Sequence, residues 1–347
     1  MQLKIKHKFI IISIVALFIF VINFCFTCNK QSFAEIQSVY LGGTPIGVVA
    51  KSEGVTIIEL RDIISKNSVV NPGKIAGLAC GDLVYKINNN LISSSEDISK
   101  IVEKTKEGDV LEIYVYRRNA PMSFKVSPIM DKATNTVKLG LNVKNELAGI
   151  GTLTFVYPST KRFACLGHQI FDLESSNQDI YNNGNIYLAN IIGYNKGKLG
   201  KTGELRGTFK KTDLAVGVID KNTFSGIFGK AEDILYDGRP MISIGNRNSI
   251  KPGKAHIYTT INGDMPQKYE IEIVKLSPQT SPQDKSMVVR ITDKKLLELT
   301  GGILQGMSGS PIVQSGHLVG AITHVFINDP SCGYGIYVDW MLSSIAK

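Results

Sequence analysis

Cysteine is scarce in this chain. Five occur in 347 residues, and Cys25 and Cys28 belong to an N-terminal apolar stretch or its edge. The surroundings of Cys28 are a poor match to a lipid-attachment site. Cys80, Cys165 and Cys332 form an odd remainder without metal-ligand spacing, which excludes a disulfide framework and leaves buried free thiols as the expectation. Nucleic-acid motifs are missing too. The formal net charge is +9, but Lys161, Arg162, Lys196, Lys198, Lys201, Arg206, Lys210 and Lys211 are spread without aromatic interleaving, so no nucleic-acid partner is expected. Attraction to an anionic membrane surface and a merely solvated basic face stay open as readings of that charge. There is no tandem repeat and no low-complexity tract.

Long apolar runs are absent with one exception. Phe9 to Phe26 holds 18 residues whose only polar members are Ser13 and Asn23, behind Lys4, Lys6 and Lys8. That length suffices to span a bilayer as a helix. Ser32, Phe33 and Ala34 offer a small-residue cleavage site, so residues 1–34 read as a retained anchor or a removed signal. In both readings Glu35 onward is delivered outside the cytoplasm, with the positive end left inside.

What is abundant is glycine: 33 of them, with 12 prolines, fit many short strands joined by turns, so a mainly β protein is expected. Residues 35–130 have the grammar of a small β domain with two helices, one of them opening on a serine or acidic cap in the run Ser93 to Asp97 and ending at Gly108. From Asn71 to Leu78, Gly81 to Val84 and Ile87 to Asn89 this stretch resembles a PDZ domain. The resemblance implies a groove that adds an extended peptide, a ligand or the chain's own terminus, as a strand, with the peptide's end held by amides near Ile46, Gly47 and Val48. Residues 131–347 contain about ten short apolar stretches separated by Gly, Asn, Asp or Pro, which predicts a barrel or a pair of packed barrels.

The chemistry points to GMSGSP, Gly306 to Pro311. A serine hydroxyl is a weak nucleophile that needs a base, a group orienting the base, and amides aimed at the developing oxyanion. In this loop, similar to the GDSGGP-like loops of trypsin-fold peptidases, the amides of Gly306 and Ser308 can converge if Met307 lies over the turn. An ordinary glycine turn is the plain alternative. Among five histidines, His7 precedes the apolar run, His317 sits at a hairpin turn, and His256 and His324 lie in strands. His168 differs: it ends an apolar strand beside Gly167, 140 residues before Ser308, in the His-then-Ser order of the trypsin fold. Cys165 lies inside that strand and makes a poor nucleophile. His317 and His324 would point to opposite faces of a strand, so no metal or other cofactor is expected.

The segments 164–172, 222–229, 300–330 and 333–342 are similar to the stage IV sporulation protein B family of serine peptidases. The order of apolar segment, PDZ domain and peptidase domain agrees with that family. The resemblance implies a trypsin-like double β-barrel, with Ser308 as nucleophile, His168 as general base and Asp293 as the acid. Asp213, 45 residues after His168, rivals Asp293 by its trypsin-like spacing. It further implies a spore-forming bacterium, release between the two membranes around the developing spore, self-cleavage, and cutting of a membrane-associated regulator that leads to activation of a late transcription factor. The competing reading is a PDZ adaptor whose peptidase-like domain only holds a partner.

Overall fold

The computed structural model describes residues 38–172, 175, 181–211 and 214–345. These lie in a compact unit, Ser38–Lys347, separate from Met1–Gln37. The N-terminal apolar run, its cleavage triplet, His7, Cys25, Cys28 and Asp213 fall outside the described residues. No helix among the described residues is long and apolar enough to cross a membrane.

Two rings of strands close on themselves. In the first, the front of strand Pro45–Leu60 pairs with Leu141–Tyr157, which pairs with Arg162–Cys165, then Gly226–Ala231, Gly217–Thr223 and Asn183–Leu188, and the last returns to the first. In the second, Gly253–Thr259 pairs in turn with Gln267–Leu276, Met287–Ile291, Asp329–Tyr337, His317–Phe326 and Pro311–Gln314, which returns to the start. Every pairing is antiparallel, and closure removes the exposed sheet edges that would otherwise invite association. Each ring encloses its own core: Ile46, Leu153, Phe163 and Ile219 in the first, Ile257, Ile271, Val289 and Ile312 in the second. The expected pair of barrels is therefore formed. The C-terminal helix Val338–Ile345 ties them together, for Ser344 accepts from Lys221 of the first barrel and meets Ser225 through their hydroxyls.

A third core, around Val55, Ile57, Val84, Ile98 and Ile113, belongs to a smaller unit. Its sheet joins Leu83–Ile87, Leu111–Arg117 and Ala120–Val126 to the far half of strand Pro45–Leu60. Its two helices begin where side chains can satisfy free amides. Asn71 accepts from Lys74 at the start of Pro72–Ala76, and Ser94 and Asp97 cap each other's amides at the start of Ser95–Glu103. Cys80, expected to be buried, is exposed just beyond the first helix, whereas Cys165 and Cys332 are buried.

The unit is inserted into the first barrel. Strands Pro45–Leu60 and Leu141–Tyr157 pair from Thr152↔Pro45 to Glu146↔Lys51 in the barrel and, after a register shift, from Lys144↔Thr56 to Leu141↔Leu60 in the small sheet, with a second shift between Asn142 and Val143. Ser38–Lys51 thus belongs with the peptidase strands, and the expected boundary near residue 35 moves past residue 50. The peptide-holding role expected of Ile46, Gly47 and Val48 fails for the same reason. Ile46 is wholly buried in the barrel, a Cβ on Gly47 would lie 2.2 Å from the Phe209 ring, and the strand is paired on both sides, leaving no edge for a peptide.

Candidate active site

Ser308 stands in a turn of the second barrel, clamped by the first. Gly306 and Gly309 have φ of 95° and 94°, the left-handed region that glycine enters without strain. A Cβ on Gly309 would also lie 2.1 Å from the Thr152 carbonyl oxygen. Thr152 Oγ1 donates to the Gly306 carbonyl (2.8 Å), the Thr152 amide donates to the Ser308 carbonyl (3.0 Å), and Thr154 Oγ1 donates to the Gly309 carbonyl (2.7 Å). Met307 is buried in the second core and anchors the loop from within. The amides of Met307, Gly309 and Ser310 are taken by Leu304, Ile322 and Met307 carbonyls. Those of Gly306 and Ser308 make no hydrogen bond among the described residues, so they are the two left for a ligand.

The two serines differ sharply. Ser308 Oγ donates to the Thr323 carbonyl at 2.7 Å and lines a cavity of about 580 Å³. Ser310 is fully buried and its hydroxyl has no partner among the described residues.

His168 reaches the same cavity from the first barrel. The chain leaves strand Arg162–Cys165 through Leu166 and Gly167, both left-handed with φ of 65° and 71°, which swings the next side chain away from the barrel wall. Its Nδ1 lies 2.8 Å from the Gln169 carbonyl oxygen. A carbonyl only accepts, so Nδ1 carries the proton and Nε2 keeps its lone pair, the tautomer of a general base. Burial holds the His168 pKa below the ordinary value, against the opposing pull of the Gln169 carbonyl and Asp284. No hydrogen bond joins Ser308 and His168, because the serine proton is held by Thr323.

His324 packs against His168, with ring centroids 4.9 Å apart and planes tilted by 37°. Asp284 Oδ2 lies 3.9 Å from His324 Nδ1. Burial lowers the His324 pKa as well, and the neighbouring His168 adds to the effect. His317 is exposed at its turn, with Nδ1 on the Ser315 carbonyl. Cys165 is sealed in the first core, where burial pushes its thiol pKa up and silences it as a nucleophile.

The family model of the SpoIVB peptidase S55 matches residues 135–342, more than half of the chain. The chain belongs to this family. It is a serine peptidase. No curated protein matches it. Among solved structures, the PDZ domain of an SdrC-like protein from Listeria monocytogenes is 22% identical with a TM-score of 0.22, covering 26% of this chain and 87% of that one. A protease from M. tuberculosis in its active form is 12% identical with a TM-score of 0.33, covering 58% of this chain and 74% of that one.

In this S55 peptidase the expected acid is elsewhere. Asp293 caps the helix Lys294–Thr300, accepting from the Leu296 amide at 2.9 Å and the Glu270 amide at 3.4 Å. Its carboxylate is committed to helix and strand ends and is not brought to His168, whose Nδ1 the Gln169 carbonyl already engages. An aspartate three residues before the end of a first helical turn reads equally as a cap, and that use is the one folded here. Asp293→Ala should cost about 1 kcal/mol of stability, a loss that Asp293→Asn largely avoids because asparagine caps as well. Thermal melts of the two variants check this. Asp284 and the clamping Thr152 and Thr154 carried no signal in the sequence: the aspartate sits in a plain turn sequence, and the threonines serve a partner more than 150 residues away.

Proposed function

We propose that this S55 peptidase is an extracytoplasmic serine endopeptidase of sporulation that cuts a membrane-associated regulatory protein and processes its own N-terminal region. The observation that supports the catalytic reading is that Ser308, Gly306 and His168 line one cavity, with Nδ1 of His168 engaged by the Gln169 carbonyl and the amides of Gly306 and Ser308 without a hydrogen bond among the described residues. In that reading Ser308 rotates away from Thr323, His168 Nε2 takes its proton, and Oγ attacks the substrate carbonyl. The two amides receive the oxyanion, and the imidazolium returns its proton to the leaving amine before water repeats the cycle. The Gln169 carbonyl holds the tautomer, and the Asp284 charge favours the imidazolium. No cofactor enters.

The regulatory part of the proposal rests on family membership together with the apolar run Phe9 to Phe26, which would hold the enzyme at a membrane. The small inserted unit is read as the PDZ-type module that positions a peptide. Its peptide site moves to the groove bordered by Ile63, Ile98, Val102 and Leu141, between helix Ser95–Glu103 and the neighbouring strands. Against the adaptor reading stands the presence of both reactive side chains in one cavity.

The test is reaction of the full chain with a fluorophosphonate. One equivalent should attach to the peptide containing Ser308, and none in Ser308→Ala. Failure of the unaltered chain to react would return the adaptor reading.

A further inference from the structure

Beside Ser308 the cavity is lined mainly by hydrocarbon, with Thr202, Gln305, Thr323 and the two histidines as its other polar members. Ile150 and Leu166 of the first barrel face Ile303 and Val325 of the second, and among the described residues no carboxylate, ammonium or guanidinium group lines it. Its titratable lining groups are His168 and His324, both shifted toward the neutral form, with Asp284 and Lys285 acting on His324 from outside the lining. At the mouth, Phe171 and Ile327 stay 61% and 59% exposed, apolar surface that an apolar ligand would cover. A charged side chain entering this space would lose its water without gaining an opposite charge.

One wall is open for a simple reason. Gly149 lines the cavity from strand Leu141–Tyr157, paired with Val48, and a Cβ built on it meets no atom within 4 Å. Its backbone is ordinary extended strand rather than a left-handed turn, so the missing side chain answers no need of the chain's own conformation. What it leaves is room.

Resting on the reading of Ser308 as nucleophile, we propose that this cavity takes a large uncharged apolar side chain of the substrate, next to the carbonyl that is attacked, and that Gly149 sets the size accepted. The occupant is fixed by the position of the space: Ser308 and His168 line it together, so a chain presenting its carbonyl to Oγ carries a neighbouring side chain into it. Burying a leucine or phenylalanine side chain there, against desolvating an aspartate or lysine, amounts to roughly ten- to a hundredfold in rate.

The experiment uses the full-length chain and peptidyl phosphonates that differ only in the side chain beside phosphorus: Ala, Leu, Phe, Asp or Lys. Inactivation rates are compared with labelling by a generic fluorophosphonate. Leu and Phe should react roughly ten- to a hundredfold faster than Asp and Lys. Gly149→Leu should remove the advantage of Phe over Ala, and Gly149→Ala should diminish it, which keeps the test valid if the larger replacement does not fold. Equal rates for all five phosphonates, or a Phe-to-Ala ratio untouched by both variants, with fluorophosphonate labelling intact, overturn the specificity inference and leave Ser308 as nucleophile. Absence of labelling by either reagent overturns both.

Discussion

Ser308→Ala is expected to leave no measurable turnover, a fall of roughly a millionfold as for other serine peptidases that lose the nucleophile. Ser310→Ala, two residues on, is expected to keep it. Both serines lie among glycines, yet their surroundings oppose each other. Ser308 faces the cavity with its Oγ directed at the Thr323 carbonyl, and its amide is one of the two left free. Ser310 is fully buried with a hydroxyl that finds no partner among the described residues. An unsatisfied buried hydroxyl is a cost, so alanine there should leave stability equal or higher by up to about 1 kcal/mol. Peptide turnover and thermal melts of the two variants settle the matter. Loss of activity in a folded Ser310→Ala protein, with Ser308→Ala active, would reverse the roles of the serines.

His168→Ala should be nearly as severe, with a loss of roughly a millionfold and the fold intact. The imidazole lines the cavity, and the hydrogen bond at its Nδ1 leaves the Nε2 lone pair available. The same geometry sets the pH profile. Only the neutral ring accepts the serine proton, and burial lowers its pKa. The acid limb of activity should therefore lie below the ordinary histidine value of about 6.5 rather than at it. Stability bears on that limb with the same sign. His168, His256 and His324 all have lowered pKa values in the folded state, chiefly through burial. Below about pH 6.5 the unfolded chain binds more protons than the folded one, so stability falls as pH falls. Thermal melts across the same pH range separate loss of base from loss of fold. A midpoint of activity above pH 7 in a folded protein would contradict the buried, depressed imidazole.

Much of the site was legible in the sequence because it is built from local rules. The left-handed positions at Gly306 and Gly309 demand glycine, and a histidine after the strand-ending Leu166–Gly167 turn is pushed out of its barrel. Neither rule looks beyond a few neighbours. The helix start was equally local, and Ser94 and Asp97 cap it as the serine and acidic run suggested, although the helix Ser95–Glu103 stops short of the expected end at Gly108.

Two expectations failed where the deciding contact is distant. PIGVVA, from Pro45 to Ala50, follows a glycine turn and precedes a module with PDZ-like spacing, so it read as part of that module. Its partners are strands about 100 and 140 residues further on, and they bury it in the first barrel. Asp293 carries both a capping position and a place shortly before the nucleophile. Only the packed chain shows its carboxylate tied to Leu296 and Glu270.

The sequence by itself determined the mainly β character, the loop that presents Ser308, and the histidine able to serve it, because glycine torsions, strand alternation and turn chemistry act over a few residues. Tertiary structure alone decided that the small unit is inserted into a barrel strand, that Thr152 and Thr154 hold the serine loop, that His324 and Asp284 stand behind His168, and which aspartate is a cap. Those are pairings between residues far apart in the chain. A side chain's local pattern states which bonds it can make, and only the closure of two barrels selects the partner that receives them.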